Sequence, residues 1–208
     1  GLPLDKLIEK IHNAETNRPR NARTIWTTLV ENIPKLTGDP SHDPSDSRTP
    51  ANTGWDGYPI NGSFAEGAAW IAMILAQALR YAHGMNTFHR DVKPANVLLT
   101  REHGPQLLDF NLAKSPHSVQ RAEAAMFGGT LPYMAPEQIE AFLDPKQWDR
   151  VGAQADIYSL GLVLRELLTG VPPALPSRRL PLPLAMNRLL DSRRRQRSDA
   201  RELNPSVP

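Results

Sequence analysis

The stretch His89-Arg90-Asp91-Val92-Lys93-Pro94-Ala95-Asn96 decides the reading of this chain. It follows the apolar segment Ala68 to Ala82, which ends in Gly84. It precedes two short apolar runs, Val97 to Thr100 and Gln106 to Leu108, separated by the turn-like Arg101-Glu102-His103-Gly104. A helix, a polar loop and a pair of short strands are therefore expected in that order. Asp91 falls in the loop, where a carboxylate can point outward rather than pack. Asn96 contributes a hard, neutral amide oxygen. Asp109, just past the second strand, contributes a charged one. Two oxygen donors of this kind suit a hard cation such as magnesium, which keeps some of its own waters.

Three further segments follow in order: Asp109-Phe110-Asn111, Ala135-Pro136-Glu137, and Asp156-Ile157-Tyr158-Ser159-Leu160-Gly161. Together with the first, their order and spacing resemble the eukaryotic-type protein kinases, in particular bacterial Ser/Thr kinases of that type. The resemblance covers roughly residues 1 to 170 and is strongest from 85 to 170. It implies a protein kinase C-terminal lobe, mainly α with a small two-stranded β element at the active site. It implies transfer of the ATP γ-phosphoryl group to Ser or Thr hydroxyls of proteins, with ATP and Mg2+ as cofactors. By the same resemblance Asp91 is the catalytic base and Asn96 and Asp109 are metal ligands. Lys93 would neutralise the transferring phosphoryl group and tilts the substrate toward Ser/Thr. Thr130 would bridge Asp91 and Lys93. Arg90 would bind a phosphate on the activation loop, with Ser115 and Ser118 as candidate acceptors. His89 and Phe110 are expected to pack in a hydrophobic spine, and Asp156 to cap its helix and anchor the catalytic-loop backbone. Glu137 would be structural, pairing in the family with a buried arginine of a later helix, for which no partner stands out here.

The chain departs from the family in three ways. There is no G-x-G-x-x-G and no strand lysine of the V-A-I-K type. The small N-terminal lobe is thus expected to be absent from this chain, the last helices of the large lobe incomplete, and residues 1–208 alone catalytically incompetent. Asn111 stands where the family usually has Gly; Asn tolerates positive φ, so the turn should survive. The first alternative reading is a pseudokinase-like binding module, separable by nucleotide binding and activity. The second is a small-molecule phosphotransferase, disfavoured by the Ala135-Pro136-Glu137 segment and the long loop before it.

Outward from this centre, Leu4, Leu7, Ile8 and Ile11 mark a short amphipathic helix, and Ile25 and Leu29 share a face of a second over Thr24 to Val30. Residues 34–62 are rich in Pro, Gly, Ser and Asp and read as an exposed insertion. Ser63 and Glu66 form a capping box, opening a helix with Ile71, Ile74, Ala78 and Tyr81 on one face. Ile157, Leu160, Leu164 and Leu167 form the stripe of another helix, stopped by Gly170. Residues 171–208 form a Pro- and Arg-rich segment in which Arg193, Arg194, Arg195 and Arg197 are expected on a solvated face. Trp26, Trp55, Trp70 and Trp148 show no pattern of a binding cage.

Composition bounds the rest. Apolar residues make up 40% and charged residues 22%, with a formal net charge of +2. That balance does not call for nucleic acid or an anionic membrane as partner. With no cysteine, disulfides, thiolate metal sites and cysteine nucleophiles are excluded, and a cytoplasmic location is expected. Ala68 to Ala82, interrupted by Gln77 and Arg80, is too short and too polar to be a membrane span.

Overall fold

A computed structural model describes residues 1–13, 20–33, 54–110, 130–174, 180–195, 200–205 and 207. The expected two strands are β2 (Val97–Thr100) and β3 (Gly104–Leu107), antiparallel, with Val97 opposite Leu107 and Thr100 opposite Gly104. Gly104 takes φ +70 and lets the turn close. A third strand not anticipated from the sequence, β1 (Leu2–Pro3), pairs antiparallel with β2, giving the order β1-β2-β3. Two residues carry no readable alternation, which is why periodicity missed it.

The helices among the described residues are α1 (Leu4–Asn13), α2 (Ala22–Asn32), α3 (Phe64–Gly84), α4 (Pro136–Leu143), α5 (Ala153–Thr169), α6 (Leu182–Arg195) and α7 (Ala200–Leu203). The first buries Leu4, Leu7, Ile8 and Ile11, as its pattern requires. The second buries Ile25, Trp26 and Leu29. The long α3 sits at the centre, packed on α2 and α5. Its N-terminus carries the Ser63–Glu66 capping box: Glu66 N–H donates to Ser63 Oγ at 3.2 Å, and Ser63 N–H to Glu66 Oε2 at 2.7 Å.

The buried face of α3 is rotated from expectation. Phe64, Ala68, Ile71, Leu75 and Leu79 are inside, while Tyr81 is 73% exposed. Likewise α5 buries Leu160, Val163 and Leu167, and Ile157 is half exposed. Both helices are apolar over more than one stripe, so a second stripe of apolar residues competed with the true one. Gly170 ends α5 in the left-handed conformation, φ +71. A Cβ there would meet the His12 ring at 2.4 Å, so the close approach of α1 also requires glycine.

Residues 34–53 lie outside the described residues. The remainder of the expected insertion is not wholly exposed: Asp56, Gly57 and Asn61 face outward, but Trp55 is buried, stacked on Trp70 at 5.4 Å and edge-on to Trp26 at 5.3 Å. Its indole N–H donates to Thr100 O at 2.7 Å, and Gly54 N–H to Glu102 O at 2.9 Å. This segment therefore closes the core beneath the β2–β3 turn. Tyr58 completes the cluster and donates to Ala22 O at 2.7 Å. Among the described residues no helix is long and apolar enough to cross a membrane.

Candidate active site

Residues 87–93 leave α3 without regular structure, and a 3-10 turn over Pro94–Asn96 leads into β2. Pro94 opens that turn with its φ already fixed. Side chains, not a backbone ladder, hold the loop. Asp156 lies in the first turn of α5 and is fully buried. Its Oδ1 accepts the Arg90 N–H at 2.6 Å, and its Oδ2 accepts the His89 N–H at 2.9 Å and His83 Nε2 at 2.8 Å. The helix N-terminus adds a favourable field for this carboxylate. Asp156 thus holds two successive loop amides. It is not the cap expected from the sequence: Gly152 is the N-cap, and Asp156 points back into the loop instead.

His89 is fully buried. Its Nε2 bonds Leu108 O at 2.7 Å, and its Nδ1 accepts the Asp91 N–H at 3.3 Å. A carbonyl can only accept, so Nε2 carries the proton. Phe110 packs edge-on against this ring at 4.7 Å. The half-buried Phe110 ring thus packs on a buried, hydrogen-bonded His89.

The chemistry-bearing groups gather around this scaffold, with Asp91, Lys93 and Asn96 largely shielded from water. Asp91 Oδ2 lies 3.1 Å from Lys93 Nζ and accepts from Asn96 Nδ2 at 3.0 Å. Lys93 Nζ also donates to Thr130 Oγ1 at 2.8 Å. Asn96 Nδ2 donates in addition to Asp91 O at 2.8 Å, which leaves its carbonyl oxygen as the atom with ligand chemistry. Asp91 Oδ1 is buried and has no hydrogen-bond partner among the described residues. Asp109 joins through the backbone: Leu108 N–H donates to Asn96 O at 2.8 Å, so residue 109 stands one peptide beyond a direct link to Asn96. Asp109 is exposed and takes φ +61. Arg90 takes the same left-handed conformation. Non-glycine residues held there cost about 1–3 kcal/mol each, a strain that collects at functional sites. Asn111, Ser115 and Ser118 lie outside the described residues.

The Arg90 side chain is engaged within the scaffold itself. Its Nε and Nη2 donate to Val151 O at 3.2 and 3.0 Å, and its guanidinium lies over the rings of Trp148 and Phe88 at 4.9 and 5.5 Å. Desolvation there lowers its pKa, with Asp156 and Asp149 opposing.

After Thr130, the turn Leu131–Tyr133 is fastened from below. Ser159 Oγ donates to Tyr133 O at 2.7 Å, and Tyr133 O–H donates to Glu166 Oε2 at 2.5 Å. Burial pushes the Glu166 carboxyl above the usual range. Arg193 donates to Pro132 O and is buried, not on the solvated face expected for the arginine cluster. It sits near Tyr158, which also feels Glu137. Arg194 does lie at the surface, paired with Glu140. Arg197 lies outside the described residues.

Sequence reasoning passed over His83, Tyr133, Ser159, Glu166 and Gln138. Of these only Gln138 left a signal: it stands three residues after the N-cap of α4, the spacing of a capping box.

The protein kinase domain family model matches residues 61–199, most of the chain, and this chain belongs to that family. Among curated proteins it is 40% identical over 98 residues to the serine/threonine-protein kinase PknB of Mycobacterium leprae (strain TN). It is 41% identical over 101 residues to PknB of Mycobacterium tuberculosis (strain ATCC 25618 / H37Rv). It is 41% identical over 106 residues to serine/threonine-protein kinase PknH of Mycobacterium bovis (strain ATCC BAA-935 / AF2122/97). These matches cover 47–51% of this chain but only 15–17% of the relatives' own length.

Proposed function

We propose that the protein carrying this chain transfers the γ-phosphoryl group of ATP to Ser or Thr hydroxyls of proteins. The observation that carries the reading is the cluster in which Asp91 meets Lys93 at 3.1 Å and Asn96 at 3.0 Å, while Lys93 reaches Thr130 at 2.8 Å. Asp91 is placed to orient an incoming hydroxyl and accept its proton. Lys93 holds that carboxylate and offers positive charge to the transferring group. Thr130, at the start of the fastened turn, ties the substrate platform to Lys93 and, through it, to Asp91.

The donor set fits magnesium. The Asn96 amide oxygen, the Asp109 carboxylate and the unpartnered Asp91 Oδ1 are all hard oxygens. We assign Asn96 and Asp109 to the metal; when bound with ATP, it would neutralise the phosphate charge. Arg90, with Ser115 or Ser118 as phosphate carriers, is proposed as the activation contact; the names of the PknB and PknH relatives support the Ser/Thr assignment.

The test is phosphate transfer from labelled ATP to a generic Ser- and Thr-containing protein by the full-length protein, with Asp91→Asn as control. Transfer abolished by the substitution supports the reading. A wild-type protein that binds Mg-ATP without transferring phosphate would be a binding module, and one that phosphorylates only small molecules would belong to the other class of phosphotransferase.

A further inference from the structure

The catalytic loop is pinned at successive backbone groups. Asp156 holds the His89 and Arg90 N–H groups, and His89 Nδ1 holds the Asp91 N–H. The remaining handle on the Arg90–Asp91 peptide is the Arg90 carbonyl, which accepts from Gln138 Nε2 at 2.8 Å. Gln138 is buried on α4, and its Oε1 accepts the Ala135 N–H at 3.0 Å. One amide thus uses a donor on the catalytic loop and an acceptor on the end of the substrate platform. The peptide it grips follows a left-handed Arg90 and precedes the catalytic carboxylate.

We propose that Gln138 is a positioning residue that fixes the plane of the Arg90–Asp91 peptide and couples it to the Ala135 end of the platform. The proposal rests on the phosphotransfer reading above. An amide supplies both roles in one side chain at any pH. A carboxylate keeps the acceptor toward Ala135 but sets a second acceptor against the Arg90 carbonyl; a protonated carboxyl regains the donor.

The substitution Gln138→Glu is nearly isosteric, so packing is retained and the donor alone is tested. At pH 8 the full-length variant should show kcat reduced about tenfold or more, the scale of one buried hydrogen bond lost, with KM for ATP within about twofold. Facing a carbonyl in a buried site, the new carboxyl is held protonated to higher pH than usual. The variant-to-wild-type ratio should therefore recover toward pH 6. Arg90, Asp91, Asp149, Asp156 and Arg193 on the packed elements are common to both proteins, so their own effect on activity cancels in that ratio; their effect on the new carboxyl sets the pH at which the ratio recovers. Gln138→Ala should lose activity at both pH values without recovery.

Amide exchange of the peptide spanning 89–92, compared at each pH, gives a readout independent of catalysis. Faster exchange in Gln138→Glu at pH 8, with recovery toward pH 6, supports the proposal. Unchanged exchange overturns it, as does an activity deficit that is the same at both pH values. If the wild type transfers no phosphate, the functional reading fails while the exchange result still decides the role of Gln138.

Discussion

The ammonium of Lys93 lies 3.1 Å from the Asp91 carboxylate, with both side chains largely shielded from water. Neither can be changed without altering the charge seen by the other. Asp91→Asn should lower kcat about 10²–10⁴-fold, the range for a lost proton acceptor, with nucleotide affinity nearly unchanged. Lys93→Met should lower kcat less, since the carboxylate stays, and should raise KM for the protein substrate through the lost Thr130 contact. Steady-state kinetics of the full-length variants checks both; equal kcat in wild type and Asp91→Asn would remove Asp91 from the chemistry.

Asp156→Ala leaves the His89 and Arg90 N–H groups buried and unsatisfied, at about 1–3 kcal/mol each. Urea denaturation should show a loss of at least that size, and phosphate transfer should fall with it. A surface control, Asp191→Ala, should leave the midpoint unmoved, because its contact with Arg195 is exposed and 3.9 Å long.

His12 supplies a pH dependence. Its Nε2 bonds Leu167 O at 2.9 Å, and Arg20 Nη1 donates to its Nδ1 at 2.9 Å. Burial is the main cause that lowers its pKa from the ordinary 6.5, and Arg20 adds to the effect against the Leu167 bond. The unfolded chain therefore binds the proton more readily than the folded one. Stability should be full above about pH 6.5, fall as the pH drops below it, and level off beneath the folded-state pKa. His12→Gln should flatten that part of the stability curve measured by thermal melts between pH 7.5 and 5; an unchanged slope would exclude His12 as its source.

Trp55→Ala should cost about 3–5 kcal/mol, the range for deleting a buried aromatic. The loss combines packing against Trp26, Tyr58 and Trp70 with the bond to Thr100 O. Trp148→Ala, which removes a partly exposed ring under Arg90, should cost less. Chemical denaturation compares the two, and a smaller loss for Trp55 would mean that residues 54–62 add little to the core.

Legibility followed how local each signal is. The Ser63–Glu66 box, the α1 stripe and the Gly170 stop depend on residues within a turn or two of each other, and each is where its spacing puts it. The loop from His89 to Asn96 was readable because its residue types and spacing match those of the protein kinase domain family to which the chain belongs. Faces of α3 and α5 were misjudged at Tyr81 and Ile157, because which of two apolar stripes goes inside is decided by neighbours far along the chain. Arg193 and Trp55 are buried for the same reason: a carbonyl on the Leu131–Tyr133 turn and two tryptophans on separate helices complete their surroundings. Asp156 looked like a cap because caps and buried anchors draw on the same residue types.

The carboxylate at the head of α5 has one more consequence. The loop that presents Asp91 has no fold of its own to fall back on, since its amides are held by a group seated in the main core. Heating should therefore extinguish phosphate transfer and melt the helices in a single step, with inactivation and loss of ellipticity tracing one curve.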